Sequence, residues 1–494
     1  MYYIGYDIGS SSVKVALVQA ETGKKIIVLN EPQNEMEIVA LHSDWAEQDP
    51  EIWWQHICTA TKRAIREANI EASKITGVGI SYQMHGLVIV DRKGNALRNS
   101  IIWCDSRAVE IGNEAFAEIG EEKCMQHLLN SPGNFTASKL KWVKENEPEI
   151  YSKIYKYMLP GDYIALKLTG EITTTKNGLS EGMLWDYKEN KVANWLLDYY
   201  GIDQSLTPDI VDNFANQGIL NEKGAKESGL PVGIPVVYRA GDQPNNALAL
   251  NVLNPGEVAA TGGTSGVFYA VSEMSSGKST RVNNFVHVNY EEKTPRIGKL
   301  LNINGAGIQY RWLRNNMGDE TYESMNRKAS KIDVGSDGVV VIPFGNGAER
   351  MFNNKNIGTH FLNLNLNIHN SAHLFRASLE GIAFSFVYGM ECLKDDNATI
   401  NVIRAGNDNL FRSEIFSNTV ATLIGHEIEI YNTTGAVGAA RAVGLKDGDY
   451  NKFGSSITTN DHVMTFLPLK NAAPYAKAYQ KWKQELEWIL TYKK

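Results

Sequence analysis

The stretch Tyr3-Ile-Gly-Tyr-Asp7-Ile-Gly9-Ser-Ser-Ser12-Val-Lys14-Val-Ala-Leu-Val18 is typical of two short strands joined by a turn of glycine and hydroxyl residues. The stretch Glu257-Val-Ala-Ala-Thr261-Gly-Gly-Thr264-Ser-Gly266-Val-Phe-Tyr-Ala270 has the same form. Such a turn directs several backbone N–H groups and hydroxyls toward one point, an arrangement that suits a phosphate. Because the pattern occurs once in each half, it predicts two similar subdomains that close on a nucleotide triphosphate.

The composition of the chain limits the kinds of protein it can be. At 494 residues it is too long for a single core, and its 43% hydrophobic and 21% charged content is ordinary for a soluble globular protein. A net charge of −7 without a long basic run argues against a nucleic-acid or anionic-membrane partner. No signal peptide or membrane-spanning apolar run is recognised. The scattered Cys58, Cys104, Cys124 and Cys392 are expected to be free thiols in a reducing cytoplasm.

Strand and helix patterns alternate along the chain, which predicts an α/β fold. The turn cluster Asn251-Val-Leu-Asn-Pro-Gly256 is the best candidate for a boundary, giving domains at 1–250 and 251–494. A long helix is predicted from Ser371, with Arg376 and Glu380 one turn apart on its surface. The last helix carries an aromatic stripe around Trp482 that could pack back onto the first domain.

Two carboxylates stand out, each with a structural and a functional interpretation. Asp7 ends the first strand beside a phosphate-binding turn, so it could hold Mg²⁺ directly or through water, or it could cap the turn. Asp242 follows a buried-looking strand and precedes Pro244, which is compatible with a helix N-cap or with a general base. Spacing alone does not choose between these interpretations.

Taken together, the motifs resemble the FGGY family of carbohydrate kinases from Tyr3 to about Gly444. The family implies a duplicated actin-like and hexokinase-like, or ribonuclease H-like, fold with a cleft between its domains. The motifs that carry the resemblance are Asp7-Ile-Gly-Ser-Ser-Ser-Val-Lys14, Trp45-Ala-Glu-Gln-Asp-Pro50, Gln83-Met-His-Gly86, Trp103-Cys-Asp-Ser-Arg107, Phe135-Thr-Ala-Ser-Lys-Leu140, Leu159-Pro-Gly-Asp-Tyr163, Gly241-Asp242, Gly262-Gly-Thr-Ser-Gly266 and Gly435-Ala-Val-Gly-Ala-Ala440.

The resemblance implies roles for individual residues. Asp242 matches the catalytic base and Asp7 the acidic residue associated with metal and phosphate, so both are expected at a Mg²⁺ site. The expected sugar contacts are Met84, His85, Trp103, Asp105, Asp242 and Gln243. The expected ATP contacts are Ser10, Ser11, Lys14, Gly263, Thr264, Gly305, Gln309, Gly406 and Asn409. Without the resemblance, a partly buried structural histidine would be the preferred interpretation of His85. Arg107 could reach a sugar hydroxyl or pair with Asp105.

The implied activity is ATP-dependent phosphorylation of the terminal hydroxyl of D-xylulose. Met84 and His85 occupy the positions where glycerol kinases carry an Arg-Glu pair, which favours a ketopentose over glycerol. The alternatives are a sister kinase acting on ribulose or glycerol, and a sensor that binds sugar and nucleotide without turnover. Gln243, where the family usually has Asn, and the reduced glycine motif around Gly406 depart from the family pattern. A small-molecule ketose is the expected partner, in the cytoplasm, and a homodimer would be usual for this family.

Overall fold

The computed structural model describes residues 1–273, 279–318, 320–408 and 410–492. The chain forms two compact units, each assembled from three segments. The first unit comprises Met1–Leu253, Asn284–Gly298 and Thr433–Asp461, and the second comprises Asn254–Asn283, Lys299–Asn432 and His462–Lys494. The units are therefore not two contiguous halves. The assignment of 1–250 to sugar binding and 251–494 to nucleotide binding stays a prediction.

Strands and helices alternate, as the sequence predicts. The strands are β1 (Tyr2–Ile8), β2 (Val13–Gln19), β3 (Lys25–Glu31), β4 (Glu47–Gln48), β5 (Ile75–Tyr82), β6 (Val88–Val90), β7 (Ser100–Ile101), β8 (Lys156–Met158), β9 (Thr173–Thr175), β10 (Trp185–Asp186), β11 (Lys191–Val192), β12 (Asp209–Val211), β13 (Val236–Gly241), β14 (Glu257–Gly262), β15 (Gly266–Ser272), β16 (Asn283–Val286), β17 (Ile297–Ile303), β18 (Val340–Phe344), β19 (Gly358–Leu362), β20 (Val402–Gly406), β21 (Ile428–Tyr431) and β22 (His462–Phe466).

The α-helices are α1 (Pro50–Glu67), α2 (Val109–Ile119), α3 (Glu121–His127), α4 (Thr136–Asn146), α5 (Pro148–Tyr151), α6 (Pro160–Thr169), α7 (Lys176–Glu181), α8 (Asn194–Tyr200), α9 (Glu222–Ser228), α10 (Asp242–Ala249), α11 (Ala306–Asn316), α12 (Tyr322–Ala329), α13 (Ser371–Asp395), α14 (Glu414–Ile424), α15 (Gly435–Ala442), α16 (Tyr450–Asp461) and α17 (Ala473–Tyr492). Short 3₁₀ turns occupy Ala72–Lys74, Gln204–Leu206, Ser336–Gly338, Glu349–Phe352 and Val443–Asp447. None of the described helices has the length and apolarity needed to cross a membrane.

The sheet of the first unit has the strand order β3-β2-β1-β5-β13. Its first three strands form an antiparallel meander, whereas β5 and β13 run parallel to β1. Apolar side chains of β1 and β5 pack on α1, whose buried face includes Trp53, Ile57 and Ala60. Since β1, β5 and β13 are parallel, their carboxyl ends meet at one edge of the sheet, where loops can bring side chains together.

The second unit repeats this order. Its sheet runs β16-β17-β15-β14-β20-β21-β22, and its central run β17-β15-β14-β20-β21 corresponds to β3-β2-β1-β5-β13. Here too β14 pairs antiparallel with the next strand, β15, and parallel with β20, which is parallel to β21. The duplicated α/β architecture predicted from the two glycine-and-hydroxyl turns is confirmed.

One expectation about a helix in the second unit is wrong. Arg376 and Glu380 lie on α13 but are buried, 6% and 2% exposed, and Glu380 also accepts hydrogen bonds from the Gly335 backbone N–H and the Ser336 hydroxyl. The final helix, α17, belongs to the second unit and contributes to its core, and its packing on the first domain stays a prediction. Its Trp482 is buried there and donates to the Val341 carbonyl at 2.9 Å.

Candidate active site

Asp7 lies near the end of β1, in register with Ser81 of the parallel strand β5. The Ser81 hydroxyl donates to Asp7 Oδ1 at 2.9 Å, and Lys14 Nζ lies 3.9 Å from Asp7 Oδ2. In the following turn the Gly9 N–H donates to the Ser12 carbonyl. Asp7 is thus oriented by the neighbouring strand at the edge of the sheet, beside the hydroxyl-rich turn that contains Ser10 and Ser11.

Asp242 is the first residue of α10, and Gly241 is the N-cap residue of that helix. The N-cap interpretation of Asp242 is therefore wrong, because α10 begins at Asp242 itself and not one residue later. Gln243 Nε2 lies 3.4 Å from Asp242 Oδ2. Burial, followed by the negative charge of Asp7, raises the pKa of Asp242 to about 7. A carboxylate with that pKa is suited to accept a proton near neutral pH.

Met84 and His85 follow β5 and form a rigid loop at the same edge. Met84 is 4% exposed, and His85 has a left-handed backbone with φ 63°, a strained conformation for a residue other than glycine. His85 Nδ1 lies 2.9 Å from the Glu181 carbonyl oxygen, and its ring packs edge-on against Phe135. Lys139 Nζ donates to the His85 carbonyl at 3.0 Å and thereby fixes the backbone of the loop. These contacts favour a histidine held in one orientation.

The loop Trp103–Arg107 contains one exposed residue, Trp103, and two residues of a buried cluster of charges. Trp103 is 50% exposed and its Nε1 donates to the Ser10 hydroxyl at 3.3 Å. Asp105 is fully buried, accepts from the Ala46 N–H and forms an ion pair with Arg107 at 2.7 Å. The Arg107 guanidinium pairs with Asp105 and also with Glu47, at 2.7 Å in each case. A sugar contact by Arg107 stays a prediction. The Asp105 carboxylate is committed to the same cluster, so a direct sugar contact by Asp105 stays a prediction.

The amino terminus of α15 completes this edge. A Cβ at Gly435 would lie 2.7 Å from Asp7 Oδ2 and 3.1 Å from Asn246 Oδ1, so only glycine leaves room for the carboxylate. Asn245 Nδ2 donates to the Gly435 carbonyl at 2.9 Å and joins α10 to α15. Asp7, Asp242 and the first turn of α15 are therefore neighbours within the first unit.

In the second unit, the turn after β14 contacts the start of α11. A Cβ at Gly307 would lie 2.0 Å from the Gly263 carbonyl oxygen, and the Ile308 N–H donates to the Thr264 carbonyl at 3.0 Å. Gly305 is the N-cap residue of α11. Gln309, 6% exposed, accepts from the Thr359 hydroxyl at 3.0 Å. The structure thus brings together Gly263, Thr264, Gly305 and Gln309.

Gly406 ends β20, which is parallel to β14, so it lies at the same edge of this sheet. The Leu410 N–H donates to the Gly262 carbonyl at 3.1 Å, which places the loop after β20 beside the β14–β15 turn. A Cβ at Gly406 would meet only Asp408 Oδ2, at 3.6 Å. Asn409 lies outside the described residues. The predicted nucleotide contacts that are described in this unit therefore converge on one edge.

The carboxylate pair suits Mg²⁺. The negative charge of Asp7 is one cause of the raised pKa of Asp242, so a bound cation would relieve their repulsion. Mg²⁺ keeps several waters and often takes only one or two protein carboxylates. No larger cluster of His, Cys, Asp or Glu suited to a metal occurs among the described residues. Asp7 and Asp242 would hold the ion.

Three buried groups at these edges were not singled out from the sequence. Burial lowers the pKa of the Lys139 ammonium, which supports the Met84-His85 loop, to about 7. Burial also raises the pKa of Asp408, next to Gly406, to about 6. Glu181 lies at the end of α7 and is 1% exposed. Lys139 stands inside the quoted Phe135–Leu140 motif, whereas nothing in the local sequence marks Glu181 or Asp408.

Comparison with known proteins agrees with this geometry. Family models described as the N-terminal and C-terminal domains of the FGGY family of carbohydrate kinases match residues 2–249 and 258–444. The chain is 30% identical over 447 residues to a protein named xylulose kinase from Escherichia coli (strain K12), covering 89% of this chain and 88% of that protein.

Solved structures give the same result. A structure titled as a xylulose kinase from Brucella ovis (spelled "xyloylose" there) superposes with a TM-score of 0.89 at 26% identity, covering 99% of both chains. A Plasmodium falciparum glycerol kinase superposes with a TM-score of 0.88 at 20% identity, covering 99% of this chain and 98% of the other, a likeness of fold alone. The chain belongs to the FGGY family of carbohydrate kinases and is a sugar phosphotransferase with the actin-like fold.

Proposed function

We propose that this protein transfers the γ-phosphoryl group of ATP to the terminal hydroxyl of D-xylulose. The observation that carries the proposal is the placement of Asp242, whose pKa is raised to about 7, at the edge where β5 delivers Met84 and His85. The Escherichia coli relative named xylulose kinase supports the choice of sugar. So does the Met84-His85 pair, because the glycerol-phosphorylating branch carries Arg-Glu there.

Asp242 acts as the general base. Its carboxylate accepts the proton of the terminal hydroxyl while the sugar oxygen bonds to the γ-phosphorus and the bond to the ADP oxygen breaks. Phosphoryl transfer requires little beyond such a base, in-line positioning and neutralisation of the phosphate charge. Mg²⁺ bound to Asp7 and Asp242 would supply that neutralisation.

The remaining predicted contacts divide between the two units. Ser10, Ser11 and Lys14 belong to the first unit, whereas Gly263, Thr264, Gly305, Gln309 and Gly406 belong to the second. We assign both sets to ATP, because each combines backbone N–H groups with hydroxyl, amide or ammonium donors at a sheet edge. Met84, His85, Trp103 and Gln243 are assigned to the sugar.

A sensor without turnover is the alternative from a different class. It is disfavoured because Asp7, Asp242 and Thr264 are all present at the two sheet edges. The four free thiols and the sugar substrate favour a cytoplasmic protein, and the family resemblance favours a homodimer, which sedimentation of the purified protein would test.

Coupled ADP release over a panel of D-xylulose, L-xylulose, D-ribulose, L-fuculose, L-rhamnulose and glycerol tests the substrate. We expect the highest kcat/KM with D-xylulose. A clearly higher value with ribulose or glycerol would contradict the assignment of the sugar, and no turnover with any of them would favour the sensor.

A further inference from the structure

Glu181 is a buried carboxyl group that no step above uses. It is the last residue of α7 and is 1% exposed. The Tyr82 hydroxyl and the His85 backbone N–H are near enough to interact with it, yet within the described residues neither carboxyl oxygen has a hydrogen bond of ordinary geometry. Burying a polar group without full compensation lowers the stability of the fold. An apolar residue of similar size would pack here more favourably, so packing alone does not explain a glutamate.

The carboxyl contacts the residue that precedes the base. A Cβ built on Gly241 would lie 2.2 Å from Glu181 Oε2 and 2.5 Å from Met84 Cγ. Gly241 has φ −57°, which any residue adopts, so its requirement for glycine comes from these two side chains and not from its backbone. Glu181 Oε2 therefore rests against the Cα of Gly241, one residue before Asp242.

The backbone of the same residue contacts the sugar loop. The Glu181 carbonyl oxygen lies 2.9 Å from His85 Nδ1. One residue at the end of α7 thus touches the end of β13 through its carboxyl and the loop after β5 through its carbonyl. Burial, followed by the negative charges of Asp242 and Asp162, raises the pKa of the Glu181 carboxyl well above its usual range.

We propose that Glu181 is a positioning residue for sugar phosphorylation, which fixes Gly241 and therefore Asp242 in register with Met84 and His85. The ligand that this register serves is the ketose, whose reacting hydroxyl must reach Asp242 while its other hydroxyls contact the loop. A displacement of about 1 Å in such a constellation can cost about 100-fold in rate. The inference rests on the proposed function, because it assigns the same base and the same sugar loop.

Four variants test this role: Glu181→Gln, Glu181→Leu, Gly241→Ala and the double variant Gly241→Ala/Glu181→Ala. Glutamine keeps the shape of the glutamate side chain and a polar end, whereas leucine keeps only the volume. The matched control is Glu380→Gln, a buried glutamate on α13 of the second unit. For each protein, KM for D-xylulose, KM for ATP, kcat and the midpoint of thermal unfolding are measured.

We expect Glu181→Gln to keep KM for D-xylulose within about twofold and Glu181→Leu to raise it about tenfold or more, with KM for ATP unchanged within about twofold in both. Gly241→Ala should lose about 100-fold in kcat/KM for the sugar, and the double variant should recover about tenfold because its Cβ no longer meets the carboxyl. Glu380→Gln should change the unfolding midpoint and neither KM.

An unchanged KM for D-xylulose in Glu181→Leu, or the absence of any recovery in the double variant, would overturn the positioning role. If Glu181→Leu does not fold, the comparison of Gly241→Ala with the double variant decides. A wild-type protein that phosphorylates no sugar of the panel would refute the proposed function instead, which separates the two failures.

Discussion

The turn between β1 and β2 and the turn between β14 and β15 occupy equivalent places in two sheets of the same strand order, but they carry different chemistry. In the first, Asp7 precedes Gly9 and Ser10; in the second, Thr261 precedes Gly263 and Thr264 with the same spacing. The first sheet also delivers a second carboxylate, Asp242, after β13, whereas β21 is followed by Asn432 and Thr433. The first sheet therefore presents two carboxylates at its edge, where we propose metal binding and proton transfer, and the second presents hydroxyl and amide groups, where we propose nucleotide binding.

Making the first turn resemble the second should have a very large effect. Asp7→Thr installs the residue found at position 261. We expect kcat to fall by about 10²–10³, because the Mg²⁺ that neutralises the phosphate charge loses one of its carboxylate ligands. Coupled ADP release at saturating D-xylulose and ATP over a range of Mg²⁺ concentrations measures it. Thr261→Ser is the matched control and should stay within about threefold. An Asp7→Thr protein with wild-type kcat and Mg²⁺ dependence would remove the metal role from Asp7.

Weakening the second turn should have a smaller effect, confined to the nucleotide. Thr264→Ala removes one hydroxyl donor, for which we expect a loss of about tenfold in kcat/KM for ATP. The KM for D-xylulose should remain within about twofold. Initial rates over a matrix of both substrate concentrations separate the two constants. A larger change in the sugar constant than in the ATP constant would contradict the division of roles between the turns.

The pH dependence of the first site follows from the pKa of Asp242, which burial and Asp7 raise to about 7. A base must be deprotonated, so kcat/KM for D-xylulose should fall about tenfold for each pH unit below the pKa of Asp242, and this acid limb should lie below pH 7 because bound Mg²⁺ favours the ionised carboxylate. Asp7→Asn removes the negative charge, so its residual activity should show the acid limb at lower pH. Ionisation of ATP affects the wild-type protein and Asp7→Asn equally, so it cannot cause a difference between them. An acid limb at the same pH in both proteins would mean that the limb does not report the ionisation of Asp242.

The smallest expected effect concerns stability. Because the pKa of Asp242 in the folded protein is raised above its ordinary value of 3.8, stability decreases as pH rises from about 4 through 7, where the carboxyl group ionises. Asn does not ionise, so Asp242→Asn should raise the unfolding midpoint by about 1–3 °C at pH 8 and by nothing measurable near pH 4. Differential scanning calorimetry at both pH values measures the difference. An Asp242→Asn protein that is less stable than wild type at pH 8 would contradict the inference that ionisation of Asp242 destabilises the fold.

Much of the fold was predictable because its signals are local. The strand-turn-strand pattern around Gly9 repeats around Gly263, and alternation of strands and helices indicates an α/β fold. Met84 and Asp242 follow the parallel strands β5 and β13 and therefore lie at one sheet edge, whereas their roles in the site stay predictions. Those signals depend on neighbours in sequence.

The rest depends on contacts between residues far apart in the chain. Burial of Arg376 and Glu380 is set by the Ser336 turn, which no helical periodicity encodes. Asp105 is an expected sugar contact in the sequence, but its carboxylate pairs with Arg107 and also accepts a hydrogen bond from the Ala46 N–H, 59 positions away. Glu181 meets Gly241 only because α7 ends beside β13. The sequence of neither segment alone indicates this contact between Glu181 and Gly241.

The most direct test of the central claim compares the wild-type protein with Asp242→Asn for both turnover and sugar binding. The account predicts that ADP release with D-xylulose falls by about 10³-fold or more, while calorimetric titration still shows D-xylulose bound within about threefold of the wild-type Kd. Turnover retained within tenfold in a folded Asp242→Asn protein would contradict the account, because the proton of the sugar hydroxyl would then leave through another group.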